Sequence, residues 1–133
     1  MEERFQYLSP EWAQEAQRRL QADLTPEKMK HLTSSMLTVY TGCPGGADCA
    51  VYYRVVDGVV QEVSLAEGDL PEAEFTITAG YDTFARISQA ELKARAALMS
   101  GKMTLRGNLV KALRLAPVVD RLNEVLSTIP TDY

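Results

Sequence analysis

The dipeptide Asp57-Gly58 constrains this chain more than any other feature. It lies between "CAVYYRVV" (49–56) and "VVQEVSL" (59–65), two runs rich in β-branched and aromatic residues. Asp-Gly between such runs is the sequence of a tight two-residue hairpin, since both residues tolerate the positive φ that the turn requires. Two further segments extend the sheet. "SSMLTVYT" (34–41) has the same strand chemistry, and "AEFTITA" (73–79) alternates, with Phe75, Ile77 and Ala79 on one face.

Helices are expected on either side of these strands. Ser9-Pro10-Glu11 supplies an N-cap, a proline at the first helical position and an acid at the dipole's positive end. Trp12, Ala16 and Leu20 then mark one apolar stripe. Thr25-Pro26-Glu27 repeats the signal and predicts a short helix over 26–32. Asp82 is expected to cap a helix carrying Phe84 and Ile87. Ser88-Gln89-Ala90-Glu91 has capping-box spacing and predicts a helix with Leu92, Ala96 and Met99 on one face.

The run "LMSGKMTLRGN" (98–108) invites a phosphate-loop reading and fails it. The loop G-x-x-x-x-G-K-S/T needs glycine five residues before its Gly-Lys and a hydroxyl residue after it, between a strand and a helix. Here Ala96 and Met103 hold those positions, with a helix before and a strand after. Gly101 suits a helix C-terminus instead. Residues 102–106 alternate, with Met103 and Leu105 on one face, and Gly107-Asn108 turns into a new N-cap. Leu109, Ala112, Leu113 and Ala116 form a helical stripe, Pro117 interrupts that helix or starts another, and Val118 and Leu122 continue the apolar pattern. The order of helix, strands, helices and one late strand indicates an α+β fold.

At 133 residues the chain reads as one domain. It has no apolar run of about 18 residues, the length that spans a bilayer. Its charged N-terminus does not read as a signal peptide, so a cytoplasmic protein is expected. The net charge of −4 is uneven: residues 1–85 carry 6 basic and 14 acidic side chains, whereas 86–121 carry 8 basic and two acidic. Such a basic region suits either a solvated helix surface or an anionic headgroup. The acidic balance and the lack of interleaved aromatics argue against nucleic acid. Cys43 and Cys49 bracket "PGGAD" and read as two thiols or as a cross-strand pair. With His31 the only histidine, no zinc set or Cys-His catalytic pair is evident, and no metal or cofactor is expected. The closing "TIPTDY" either folds back over the domain or frays.

The segment 75–115 resembles the sterol carrier protein 2 family, or sterol-binding domain. The likeness rests on Asp82 and Phe84 after an alternating strand, on Gly101-Lys102 and Gly107-Asn108 around a second one, and on Ala112 with Leu115. It is plausible from residue 34 onward and leaves 1–33 as an N-terminal helical extension. The resemblance implies a five-stranded, mostly antiparallel sheet covered on one face by helices and enclosing an apolar tunnel. It implies non-catalytic binding, and transfer, of a fatty acid, acyl-CoA, phospholipid or sterol. The alternative it leaves open is an accessory module that presents a hydrophobic substrate to enzymes of lipid or quinone biosynthesis. The candidates for the tunnel wall are Phe75, Ile77, Phe84, Ile87, Leu92, Met99, Met103, Leu105, Leu109, Leu113, Val118 and Leu122. All twelve are equally compatible with a close-packed core, and about half are expected to touch a cavity of the ordinary ligand-site kind. Lys102, Arg106, Lys111 and Arg114 are candidates for an anionic headgroup. Expected partners are the lipid itself and, at the tunnel mouth, a membrane surface, an enzyme or a second copy of the chain.

Overall fold

The computed structural model describes residues 4–43, 49–66 and 70–133. In chain order the elements are β1 (Phe5–Gln6), α1 (Pro10–Asp23), β2 (Ser34–Thr41), β3 (Cys49–Val56), β4 (Val59–Leu65), β5 (Phe75–Gly80), α2 (Tyr81–Ser88), α3 (Ala94–Met99), β6 (Met103–Arg106), α4 (Leu109–Leu126) and β7 (Thr131–Asp132). Five strands form one mixed sheet in the order β4-β3-β2-β5-β6. All neighbours are antiparallel except β2 and β5, which run parallel with Met36 opposite Phe75 and Thr38 opposite Ile77. Helices α1, α2 and α4 contribute to one apolar cluster with the inward side chains of the strands.

Local chemistry sets most boundaries. The Ser9 hydroxyl accepts from the Trp12 amide at 3.1 Å and starts α1 behind Pro10. Trp12, Ala16 and Leu20 are completely buried, so the stripe read from the sequence is the face that docks against β4 and α4. Two glutamines of α1 also protect the sheet edge: Gln17 Oε1 accepts from the Val63 amide and Gln21 Nε2 donates to the Val60 carbonyl. An edge strand's unpaired backbone groups would otherwise be open to another chain.

Asp57 and Gly58 both take positive φ and close the β3–β4 hairpin. Gly58 has a second reason to be glycine. A Cβ there would lie 2.7 Å from Pro26 Cα, because the 25–32 segment packs directly on the hairpin turn. That segment is a chain of turns, not the helix expected over 26–32. The Thr25 hydroxyl accepts from the Lys28 amide, so the cap signal is real. The helix stops after one turn because Lys30 and His31 adopt left-handed φ and the Leu32 carbonyl is taken by the Gly58 amide.

Two further starts differ from expectation. Helix α2 is preceded by Gly80 and has no side-chain cap, with Asp82 in its first turn. Ser88 ends α2 rather than opening the next helix, and α3 begins at Ala94, whose amide donates to Asp120 Oδ1 at 3.2 Å. The true cap is thus remote in sequence. The end of α3 is as expected: Gly101, at φ +81°, closes a Schellman motif, with Lys102 N–H to the Ala97 carbonyl and Gly101 N–H to the Leu98 carbonyl. Asn108 caps α4 by accepting from the Lys111 amide. Pro117 neither ends nor restarts that helix, which continues to Leu126 with the proline ring on its exposed side. The C-terminus folds back, since β7 pairs with β1 and Tyr133 packs 4.7 Å from the Tyr7 ring.

Candidate functional site

A cavity lies between the sheet and the pair α3–α4. Its floor is the inward face of four strands: Met36 of β2, Tyr53 and Val55 of β3, Phe75 and Ile77 of β5, and Met103 and Leu105 of β6. Alternation along β5 and β6, with Ile77 opposite Leu105 and Ala79 opposite Met103, brings those side chains to one face. The roof is Ala94 and Leu98 of α3 with Ala112, Leu115, Ala116, Val118, Val119 and Leu122 of α4. Met29 and Leu32, from the turn seated on Gly58, close one side. The space between atoms is about 790 Å³ when the part open to solvent is counted.

Polar groups among these walls are few and mostly occupied. Ser35 Oγ accepts from the Glu74 amide at 2.8 Å, and Ser34 Oγ donates to Glu74 Oε1 at 2.5 Å. Among the described residues Arg95 is the charged member of the lining, and it is exposed. Glu74 also receives Lys111 Nζ at 2.5 Å, which ties the first turn of α4 to the start of β5. The hydrogen bond from Lys111, then that from Ser34, holds the Glu74 carboxyl below its ordinary range.

A second, smaller space adjoins the first, about 400 Å³ between atoms when the part open to solvent is counted. Met36, Tyr53, Ile77, Ala94, Met103, Val119 and Leu122 are walls of both. Its own walls are Thr38 and Tyr40 further along β2, Phe84, Ile87 and Ser88 of α2, and Asn123 of α4. From Ser34, a wall of the first, to Tyr40, a wall of the second, the strand travels about 20 Å at 3.3 Å per residue. Around the inner one, Tyr7 shares a 2.7 Å hydrogen bond with Ser88 Oγ and lies 3.4 Å from the Tyr40 hydroxyl. Burial pushes the phenols of Tyr7, Tyr40 and Tyr53 upward, those of Tyr7 and Tyr53 far upward.

The structure brings eight of the twelve expected wall residues together. Phe75, Ile77, Met103, Leu105, Val118 and Leu122 line the outer space, and Phe84 and Ile87 the inner one. Leu92 is half-buried against the core cluster, and Leu113 is half-buried on α4. Met99 and Leu109 point to solvent, at 67% and 52% exposure. Lys102, Arg106 and Arg114 are exposed and lie outside the lining, while Lys111 is engaged by Glu74. Sequence reasoning missed the walls supplied by Met29, Leu32, Met36, Tyr53 and Val55, and it missed Arg95 as a lining residue. Only the inward alternation of β2 and β3 could have signalled three of these. Cys43 and Cys49 are both thiols, and Cys43 Sγ donates to the Tyr40 carbonyl at 3.6 Å. Residues 44–48 between them lie outside the described residues.

The sequence pattern of the SCP-2 sterol transfer family matches residues 8–120. The chain belongs to this family. The match begins inside the segment ahead of α1, so α1 is part of what the family shares. Solved structures carry the same fold as this SCP-2 chain. The crystal structure of sterol carrier protein 2 superposes with a TM-score of 0.80 at 22% identity, covering 93% of this chain and 99% of the other. The solution structure of a conserved hypothetical protein from Thermus thermophilus, described as possibly a sterol carrier protein, gives 0.80 at 22% identity over 98% and 94%. Palmitated SCP2L2 from Aedes aegypti gives 0.61 at 20% identity over 81% and 90%. No curated protein matches the chain in sequence. Among the described residues, no helix is long and apolar enough to cross a membrane, and no three His, Cys, Asp or Glu residues are placed to hold a metal ion.

Proposed function

We propose that this SCP-2 chain binds one long-chain lipid-like molecule beneath α3 and α4 and passes it between acceptors without changing it chemically. The observation that carries this reading is the cavity, walled by aliphatic, aromatic and methionine side chains from seven separate segments. Each 100 Å² of ligand surface taken out of water there contributes about 2.5 kcal/mol before the cost of immobilising the ligand. Three methionines, Met29, Met36 and Met103, sit in the walls. Their flexible thioethers adapt to ligands of differing shape. The membership in a sterol transfer family and the fold shared with a palmitated protein support the same class of ligand.

The eight residues grouped around the two spaces are the ones proposed to touch the ligand. Delipidated protein titrated with a fluorescent sixteen-carbon fatty acid should saturate at one ligand per chain. Native mass spectrometry of gently purified protein should show a bound lipid. Protein that takes up no long-chain probe, with its fold intact by circular dichroism, would rule the reading out.

A further inference from the structure

The two ends of the cavity differ in chemistry, and the difference lies in what the inner end offers to a ligand. Asn123 lies in the last turn of α4 and is 8% exposed. A buried carboxamide is costly unless its polar atoms are matched. Its Nδ2 donates to the Val119 carbonyl at 3.0 Å, which fixes the orientation of the amide. Its Oδ1 receives no hydrogen bond from any described residue, and Asn123 is a wall of the inner space. Facing the same space, the Thr38 hydroxyl donates to the Val51 carbonyl at 3.1 Å and is also hydrogen-bonded to the Tyr40 phenol. The hydroxyls of Tyr40, Tyr53 and Ser88 complete this end, and among the described residues no Lys, Arg, His, Asp or Glu is a wall.

We propose that this inner end is a hydrogen-bonding subsite for the neutral hydroxyl of a long-chain alcohol, which enters head first and leaves its chain between the sheet and α4. The proposal rests on the lipid-binding reading and deepens it. A ligand hydroxyl can donate to Asn123 Oδ1 and accept from a neighbouring hydroxyl. An ionised carboxylate cannot, since it has no proton to give and would be buried without a counter-charge. The upward push on the surrounding phenols is in keeping with a region that resists negative charge. Met36 and Met103 wall both spaces, and their side chains rotate easily.

The test uses the delipidated full chain and displacement of a fluorescent sixteen-carbon probe at pH 8. The competitors are 1-hexadecanol, hexadecyl methyl ether and palmitate. The alcohol should bind about tenfold more tightly than the ether, which accepts but cannot donate, and than the ionised palmitate. Asn123→Leu should bring the alcohol down to the level of the ether, and Thr38→Val should narrow the gap by less. If Asn123→Leu fails to fold, the wild-type series with Thr38→Val decides alone. Palmitate or ether binding as tightly as the alcohol would overturn the subsite while leaving lipid binding intact. Failure of all three to displace the probe, or of the probe to bind, would instead overturn the lipid reading and the subsite with it.

Discussion

The end of the interior under α1 is closed, and the end under α3 and α4 is hollow. At the closed end Trp12, Ala16, Leu20 and Val51 are completely buried, and none of them lines either space. At the hollow end, equally apolar residues face open volume. Small side chains occur in both places, yet they serve opposite ends. Ala13 and Ala16 let α1 settle onto the sheet, whereas Ala94, Ala112 and Ala116 leave room under a roof that does not descend. That roof is held by polar fastenings at its ends: Asp120 on the start of α3, the Gly101 turn, the Asn108 cap and the Lys111–Glu74 pair. A void in a core costs stability in proportion to its size, so it persists where something other than packing fixes its walls.

The contrast is broken most forcefully by truncation. Trp12→Ala should destabilise the fold by about 3–5 kcal/mol in urea unfolding, because it opens a void where none existed. Leu122→Ala should cost about 2 kcal/mol, the low end for such a change, since its side chain already borders open space. Equal losses at the two positions would erase the distinction.

Alkali should unfold the chain from the seam between the two ends, where Tyr7 meets Tyr40 and Trp12. The folded-state pKa values of Tyr7, Tyr40 and Tyr53 stand above the unfolded ones, mainly through burial. Their contribution is therefore fully present below the ordinary phenol range near pH 10 and is lost as pH rises through the folded values. An absorbance titration should show a late group of phenols ionising together with loss of far-ultraviolet signal. Ionisation of every phenol in one step near pH 10, with the fold retained, would contradict this.

Filling the hollow sharpens the comparison. Ala112→Phe should weaken binding of a long-chain probe by at least about tenfold, or 1.4 kcal/mol, with the melting temperature unchanged or raised. The smallest effect is expected at the roof's surface fastening. Lys111→Met should cost about 0.2–1 kcal/mol, since both partners are more than a third exposed and water screens the pair. The loss should shrink as pH falls through the depressed pKa of Glu74, where the native pair is already gone.

What the sequence disclosed follows the same division. The strands, the Asp57-Gly58 hairpin, the Ser9 and Asn108 caps and the Gly101 helix end are local events, each encoded within a few residues. The starts of α2 and α3 escape a local reading because the cap signals at Asp82 and Ser88 compete with tertiary ones. Ser88 is drawn to Tyr7, and α3 is capped by Asp120, 26 residues away. The cavity is half legible for a related reason. Periodicity marks which side chains turn inward, but a filled and a hollow interior have the same periodicity. Met99 shows the limit: α3 starts later than the capping box implies, its buried residues are Ala94 and Ala97, and the methionine turns outward. The walls from Met29 and Leu32 need the close seat of their turn on Gly58, which no spacing reveals.

Methionine methyl groups give the most direct test of the hollow end as a lipid site. With ¹³C-methyl methionine, addition of a long-chain lipid to delipidated protein should shift the signals of Met29, Met36 and Met103 and show contacts to ligand protons. The exposed Met99 methyl should stay in place. Shifts confined to Met99, or none in the three wall methionines at saturating ligand, would contradict the account.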